Sequence, residues 1–356
     1  MILWHSMDAW TAPEARSGLG FGVVSALSGW AAPLFLFLAG VSLSLAGHRR
    51  AGVTGRQAAA WHLHKRGWQV FALAHLFRLQ SFVLNPQAAW SSVLKPDILN
   101  ILGLGLAAAA LCWRPATTRR RQVLWLLGPM ALIVLLTPLS RGWLWPTEWL
   151  RPLSPRFEAY IRPVPGLGVF TLFPWMAFVF GGAFVGARLA DSHARGHGAP
   201  LAVGLAAAGL SMMSLGAVVL WGRWPAELPI WMASLPWFLF QLGLMTAALL
   251  AARGWLPPSP SARYARGSGW QGLSPILLFG QTSLFVYWVH VEMAYGIFSY
   301  PLHRALPFGW ALAAFGALTA LLYGAARLWA SRRRPAIPAY LTVASTGRLL
   351  PDAQIR

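Results

Sequence analysis

The stretch APLFLFLAGVSLSLA, residues 32–46, carries no charged side chain and is typical of a helix that crosses a lipid bilayer. Similar runs recur between basic or Pro/Gly-rich breaks along the whole chain, and a span needs roughly 20 predominantly apolar residues. The composition agrees, because the 356 residues are 57% hydrophobic and only 11% charged, whereas soluble domains carry about a quarter charged residues. Since the runs lack the period-two alternation of a membrane barrel, the sequence predicts an all-α, polytopic transmembrane bundle.

Nine full spans are predicted, together with a truncated N-terminal helix. The spans lie near 28–46, 68–84, 96–113, 123–139, 168–187, 201–221, 230–251, 273–298 and 309–329. Residues 1–10 read as the last turns of a helix without its beginning, and they lack the features of a signal peptide. No stretch between spans is long enough to bury a core of its own. We therefore expect residues 1–356 to form one membrane domain, with residues 331–356 as a tail.

The charge between the spans predicts the orientation. Alternate loops and the C-terminal tail hold 20 of the 29 Lys and Arg residues, and the other set of loops holds 8. By the positive-inside rule the richer set is cytoplasmic, so the N-terminal segment faces the opposite side. The net charge of +20 then lies mostly on one face, where it favours anionic lipid and an anionic cytoplasmic cosubstrate.

Polar residues within the apolar segments gather at one depth under this orientation. They are His5, Asp8, His75, Arg78, Gln80, Asp97, Asn100, His290, Glu292 and Tyr295. Ionisable residues at membrane depth are costly and indicate a functional site by default. A purely architectural interpretation stays open for Arg78, as the ion-pair partner of Asp97 or Glu292, and for His75, as a packing residue.

The stretch TSLFVYWVHVEMAYG, residues 282–296, concentrates these side chains. Residues three or four apart share a helix face, so Tyr287 and His290 form one stripe. Glu292 and Tyr295 form a second stripe, which we expect to address a different neighbour. A helix that is polar on two sides cannot face lipid on either, so we expect this one at the centre of the bundle.

Other motifs are weaker. The sequence has no H-E-x-x-H pattern and no Cys pair, so it predicts no metal site. GLGFG at 18–22 indicates a turn or hinge, and the spacing of Gly182 and Gly186 indicates close helix packing. The aromatic and arginine-rich stretch 141–163 indicates interfacial anchoring or a platform for a polar substrate such as a sugar.

Five stretches together carry a resemblance. They are WHSMDAW (4–10), APLFLFLAGVSLSLA (32–46), KPDILNILGL (95–104), FTLFPWMAFVFGGAFVG (170–186) and SLFVYWVHVEMAYG (283–296). In this order they resemble bacterial members of the heparan-alpha-glucosaminide N-acetyltransferase family. The resemblance implies a multi-helix membrane enzyme that carries acetyl from cytosolic acetyl-CoA to the amino group of a terminal glucosamine across a membrane.

The resemblance also places individual residues. His5 stands in the position of the important histidine of the family, ahead of a P-x-F-x-F-x-x-G helix that is matched by Pro33, Phe35, Phe37 and Gly40. The usual D-x-x-R-G start of the first span is absent. The KPDILNILGL stretch departs from the polar pattern of lysosomal relatives.

We therefore expect an acyl-CoA-dependent membrane acyltransferase, with acetyl-CoA as cosubstrate and no metal. The catalytic residues would be His5, as general base or acyl-accepting nucleophile, Asp8, which would fix the His5 tautomer, and His290. Substrate binding would fall to a further set. It consists of Arg78, Asp97, Asn100, Tyr287 and Glu292.

The expected partners are acyl-CoA, a sugar or glycan acceptor and the lipid bilayer, with a homo-oligomer allowed and no nucleic acid. The expected location is the bacterial inner membrane, with the basic loops and the C-terminal tail cytoplasmic. Two alternatives stay open: a membrane sugar O-acyltransferase, and a proton-coupled transporter or flippase that would use the same polar residues as a proton relay.

Overall fold

The computed structural model describes residues 1–84, 89–142, 150, 152–194, 198–221, 235–255 and 275–332, and these residues are helical almost throughout. The helices are α1 Ile2–Trp10, α2 Leu19–Ser28, α3 Ala31–Thr54, α4 Arg56–Leu84, α5 Ile98–Trp113, α6 Arg119–Gln122, α7 Gly128–Ser140, α8 Pro155–Ile161, α9 Leu172–Ala194, α10 Gly198–Trp221, α11 Leu235–Trp255, α12 Pro275–Gln281, α13 Ser283–Tyr295 and α14 Phe308–Arg332. A π-helical turn, Val123–Leu127, joins α6 to α7. The described residues contain no β-strand, so the all-α prediction is confirmed.

Each of the nine predicted spans contains a helix, but the count of nine is not confirmed. Over the described ranges, six helices are long and apolar enough to cross a membrane, and α12 with α13 makes a seventh if the two are one span. The chain is therefore a multi-pass membrane protein. Helix α4 is not among the six because its first half carries charged and histidine side chains. Helix α10 is not among them either, and contributes only a shorter apolar segment, Ala207–Ala217.

The centre of the bundle is built on direct backbone contact between helices α3 and α9. A Cβ atom at Gly40 would overlap the backbone of Val179, and one at Gly182 would overlap the backbone of Phe37. Gly186 approaches the backbone of Val41 in the same way, which confirms the predicted close packing. Because only glycine permits this approach, the two helices form a rigid frame for the rest of the bundle.

Two cores flank the polar residues. The larger core joins α3, α4, α5, α7, α9 and α11, and it includes Tyr287 of α13. A smaller core packs α1 against α13 and α14 through Trp10, Ala294 and Leu322. Helix α13 belongs to both cores, so it lies between them, as expected for a helix that is polar on two sides.

Two local predictions are corrected. The predicted span 273–298 is not one helix, because the chain bends by 91° between α12 and α13, at Thr282. GLGFG is not a hinge, because Gly18 precedes the first turn of α2 and the remaining residues are helical. Most of the predicted tail, residues 333–356, lies outside the described residues.

Candidate active site

Helix α1 is fixed against α13 by hydrogen bonds at its C-terminal end. The Trp10 indole N–H donates to the Ala294 carbonyl at 3.1 Å. Backbone N–H groups of Arg304 and Leu306 donate to the carbonyls of Ala9 and Trp10, each at 2.9 Å. These bonds join the C-terminal end of α1 to α13 and to the segment that precedes α14.

The two histidines that the sequence places at one depth lie side by side. The ring centroids of His5 and His290 are 5.2 Å apart. The Nδ1 atom of His290 lies 2.7 Å from the Val286 carbonyl oxygen, and since a carbonyl only accepts, Nδ1 carries the proton. The Nε2 atom of neutral His290 therefore holds a lone pair, and it is buried without a hydrogen-bond partner among the residues that the structure describes.

Tyr295 stands between His5 and the acid that was predicted to orient it. The Tyr295 hydroxyl donates to the Asp8 carboxylate at 2.8 Å and lies 3.2 Å from Nδ1 of His5. Arg16 pairs with the same carboxylate at 3.5 Å. Asp8 therefore reaches His5 through a phenol rather than directly.

His5 belongs to α1, outside the candidate spans. Burial lowers the pKa of its imidazole to about 4, so the ring is neutral at ordinary pH.

A second group of polar residues lies at the start of α5. Arg78 pairs with the Asp97 carboxylate at 3.2 Å, which confirms the predicted acidic partner of this arginine. Asp97 also caps α5 by accepting from the Ile98 N–H at 2.6 Å, and the Asn100 side-chain oxygen accepts from the Asp97 N–H at 2.9 Å. His75 packs against this cap, with 3.2 Å between its Nδ1 and the Asn100 amide nitrogen.

Tyr287 joins this group to the histidines. Its hydroxyl donates to Asp97 at 3.4 Å, and its ring lies edge-on to His290 with 5.5 Å between centroids. Polar residues of α1, of the 3₁₀ turn Pro13–Ser17 that follows it, and of α4, α5 and α13 thus form one continuous row, which we call the His5 cluster. Its members are His5, Asp8, Arg16, Arg78, Asp97, Asn100, Tyr287, His290 and Tyr295.

Glu292 faces a different helix from Tyr295. It accepts a hydrogen bond from the Ser81 hydroxyl at 2.6 Å, on α4, whereas Tyr295 contacts α1. The prediction that Glu292 and Tyr295 address one neighbour is therefore wrong, because the two side chains diverge around α13 between α4 and α1.

A cavity of about 330 Å³ adjoins His290. Its lining is mainly apolar and includes Phe35, Ser283, Tyr287 and His290. This volume is at the small end of the range of roughly 300–1,000 Å³ that ligand sites occupy. Over the described ranges, no group of three His, Cys, Asp or Glu side chains could hold a metal ion.

The opposite end of the bundle holds a second polar group that the sequence analysis missed. His48 lies 3.5 Å from Asp191, and the Gln122 amide donates to the same carboxylate at 2.6 Å. Trp113 packs edge-on against His48 with 5.2 Å between centroids. We call His48, Trp113, Gln122 and Asp191 the His48 cluster.

Sequence reasoning also missed the roles of Ser81, Arg16 and Tyr295. No spacing rule could have found the Tyr295 contact, because residues five apart on a helix, such as His290 and Tyr295, do not share a face. For the aromatic stretch 141–163, Trp143, Trp145 and Trp149 lie outside the described residues. Its Tyr160 contacts Phe71 of α4, with 6.4 Å between ring centroids.

Comparison with known proteins gives one family. Residues 1–224 match the family model described as heparan-alpha-glucosaminide N-acetyltransferase, catalytic. The match includes His5, Asp8, Arg78 and Asp97, whereas the residues of α13 lie beyond it. No curated protein matches the chain.

Proposed function

The chain belongs to the heparan-alpha-glucosaminide N-acetyltransferase family, and from that premise we propose that it transfers an acetyl or other acyl group from acyl-CoA to the amino group of a sugar or glycan. One observation carries the proposal: His290 lines a cavity and its ring lies beside that of His5, while its buried Nε2 has no hydrogen-bond partner in the part of the chain that the structure describes. A buried nitrogen without a partner costs stability, so its presence beside a cavity supports a chemical role.

The reaction needs a base at this place. When the acceptor amine attacks the thioester carbonyl, a C–N bond forms, the C–S bond breaks, and the amine must lose a proton. We assign that proton to Nε2 of His5, which later returns it to the sulfur of the leaving thiolate. A route in which His5 itself carries the acyl group uses the same geometry. His290 provides a second basic nitrogen beside the reacting groups.

The remaining residues divide between acceptor binding and support. The Asp97 carboxylate already accepts from Ile98, Arg78 and Tyr287. We therefore propose that Arg78, Asp97 and Asn100 act on the substrate mainly by holding Tyr287 in the wall of the site. Glu292 is half-buried and binds one hydroxyl with a single oxygen. Its charge suits an amino sugar that enters as an ammonium ion, which gives up one proton to solvent before the neutral amine attacks.

The donor would approach through the cavity lined by Phe35, Tyr287 and His290. The acyl end of the thioester is small and apolar, in keeping with that lining. The basic loops counted in the sequence would gather the phosphates of acetyl-CoA from the cytoplasm. The acceptor would then lie on the extracytoplasmic side.

This sidedness has its own test. In a Cys112→Ala background, a single cysteine at position 145 should react with an impermeant maleimide applied to intact cells, and one at position 119 should react only after lysis. The reverse pattern would exchange the donor and acceptor faces.

The proposed activity is tested with the purified full chain in lipid nanodiscs. It is incubated with acetyl-CoA labelled in the acetyl group and with glucosamine, amine-bearing polysaccharides or N-acetylglucosamine. Label in glucosamine but not in N-acetylglucosamine supports amine transfer. Label in N-acetylglucosamine would indicate the O-acyltransferase alternative, and no label in any acceptor would overturn the assignment.

One observation favours a second candidate, a proton-coupled transporter or flippase. The break of 91° between α12 and α13 lies beside the titratable row, and transporters often place binding sites at such broken helices. In that case the protein would move a substrate or its protons across vesicles without forming any labelled product.

A further inference from the structure

Three groups connect α1 to α13 by consecutive hydrogen bonds at the His5 cluster. The Asp8 carboxylate lies 2.8 Å from the Tyr295 hydroxyl. The same hydroxyl lies 3.2 Å from Nδ1 of His5. Asp8 and His5 lie three residues apart on α1, so a single phenol from α13 reaches both.

The direction of the two bonds follows from the number of protons. An ionised carboxylate only accepts, and the Asp8 carboxylate lies 3.5 Å from the Arg16 guanidinium. The phenol has one proton, which the shorter bond commits to Asp8. The phenol oxygen must then accept from His5, so Nδ1 of His5 carries a proton and Nε2 holds the lone pair.

The opposite arrangement leaves a contact unsatisfied. If the phenol donated to His5 Nδ1, its oxygen would face the Asp8 carboxylate at 2.8 Å with no proton between the two. Two acceptors at that distance repel each other. The Nδ1–H tautomer of His5 is therefore the one that satisfies all three groups.

We propose that Tyr295 is a positioning residue that fixes His5 in the Nδ1–H tautomer and transmits the charge of Asp8 to its ring. This inference rests on the proposed function, because it concerns the base of the transfer reaction. When Nε2 of His5 accepts the proton of the attacking amine, the ring becomes an imidazolium. The hydrogen bonds from His5 Nδ1–H to Tyr295 and from Tyr295 to Asp8 then stabilise the new positive charge. The ring becomes neutral again when the proton passes from Nε2 to the leaving thiolate.

The position of Tyr295 supports a specific role over general packing. Its side chain is 38% exposed, so it contributes little to the core. Its ring contacts His5 edge-on, with 5.5 Å between centroids. The ring contact and the hydrogen bonds of the hydroxyl all join α13 to α1, the helix that carries the base.

The first test removes only the hydroxyl. Tyr295→Phe in the full chain should lower kcat by roughly 10- to 100-fold, a part of what general acid–base catalysis contributes, with KM for acetyl-CoA within about twofold. Tyr300→Phe is the matched control, because Tyr300 is 76% exposed and five residues further along. It should turn over like the parent protein.

A double-mutant cycle tests whether Asp8 and Tyr295 act as one unit. Asp8→Ala with Tyr295→Phe should cost no more than the larger single change, because either substitution breaks the row. Fully additive losses would overturn the transmission of charge through Tyr295.

The decisive measurement is the tautomer of His5 by NMR, which does not depend on enzyme activity. In protein labelled with 15N-histidine, the resonances of His5 are identified by their loss in His5→Ala. The parent should show protonated Nδ1 at His5, and Tyr295→Phe should lose that preference. An unchanged His5 tautomer in well-folded Tyr295→Phe, or kcat equal to the parent, would overturn the proposal. Absence of transfer by the parent would instead contradict the proposed function while leaving the tautomer result valid.

Discussion

His290 and His48 lie in the two polar clusters and begin from the same local geometry. Each uses Nδ1 to donate to the carbonyl four residues earlier in its own helix, Val286 for His290 and Ser44 for His48, at 2.7 and 2.8 Å. They differ at Nε2. That atom of His48 faces the Asp191 carboxylate at 3.5 Å, whereas that of His290 is buried without a partner among the described residues.

The difference separates architecture from chemistry. The His48 cluster closes the far end of the bundle, where the Gln122 amide donates to Asp191 across helices. Arg56 donates there to the carbonyl of Trp113, the last residue of α5, and to that of Ala116 beyond it. The paired groups His48, Gln122 and Asp191 stabilise the fold. The Trp113 indole N–H of the same cluster is buried without a partner in the described part of the chain, but it is a donor and not a base. The His5 cluster keeps a basic nitrogen free beside a cavity, which costs stability and suits a reaction.

Among the substitutions that test this comparison, the largest loss of turnover is expected at His5. His5→Ala should lower turnover by about 100- to 10,000-fold, the usual contribution of a general base, and by more if the ring carries the acyl group. The variant should unfold at nearly the parent temperature. Radiolabelled acetyl transfer and thermal unfolding in nanodiscs provide the two measurements.

His75→Ala is the matched control for His5→Ala. His75 donates toward its own helix or accepts from Asn100, so we expect a milder kinetic loss. Equal turnover by folded His5→Ala and the parent would move the base to His290 or Glu292.

Substitutions in the Arg78–Asp97 pair test the residues of the His5 cluster that we expect to support the fold. Arg78→Met should destabilise the fold by about 2–3 kcal/mol, less than a fully buried broken pair because the arginine side chain is 25% exposed. Adding Asp97→Asn removes the unpaired charge and should restore part of the loss. Chemical denaturation of the single and double variants measures both. A double variant no more stable than Arg78→Met alone would show that charge pairing is not what this group supplies.

Glu292→Gln is expected to have the smallest effect. The amide oxygen can still accept from Ser81, so the fold should be unchanged. Losing the charge should raise KM for an amino sugar by about 3- to 10-fold, or roughly 0.7–1.4 kcal/mol. The KM for acetyl-CoA, measured in the same assay, should not change. A rise in both constants would mean that Glu292 shapes the site as a whole rather than binding the amine.

The sequence predicted much of the fold because lipid imposes a simple rule. An apolar run near 20 residues long must be helical, so the segments at α3, α5, α9 and α14 were identifiable. The bend at Thr282 was not, because Gly280 lies inside α12, and an isolated glycine within an apolar run does not by itself indicate a break. The full length of α4 could not be predicted from hydropathy either, because the first half of this helix carries charged and histidine side chains.

For the candidate site, the sequence predicted the depth of the polar side chains in the membrane but not the direction in which each side chain points. The polarity pattern placed His5 and His290 at one height, and the structure brings their rings together. The bond from Tyr295 to Asp8 joins residues 287 positions apart, so it depends on how α1 packs against α13. Asp191 was overlooked because it lies in a segment interpreted only through its basic charge.

The comparison of His290 with His48 is tested most directly by one matched pair of substitutions. His290→Asn and His48→Asn each keep a side-chain nitrogen near the position of Nδ1 and remove Nε2. For each variant, acetyl transfer per folded molecule and the midpoint of thermal unfolding are measured together. We predict that His290→Asn loses at least about 100-fold in turnover with little change in midpoint. His48→Asn should keep its turnover and unfold several degrees lower, as expected for a loss of about 1–2 kcal/mol. The reverse pattern, with turnover lost at His48 and stability lost at His290, would contradict the assignment of the chemistry to the His5 cluster.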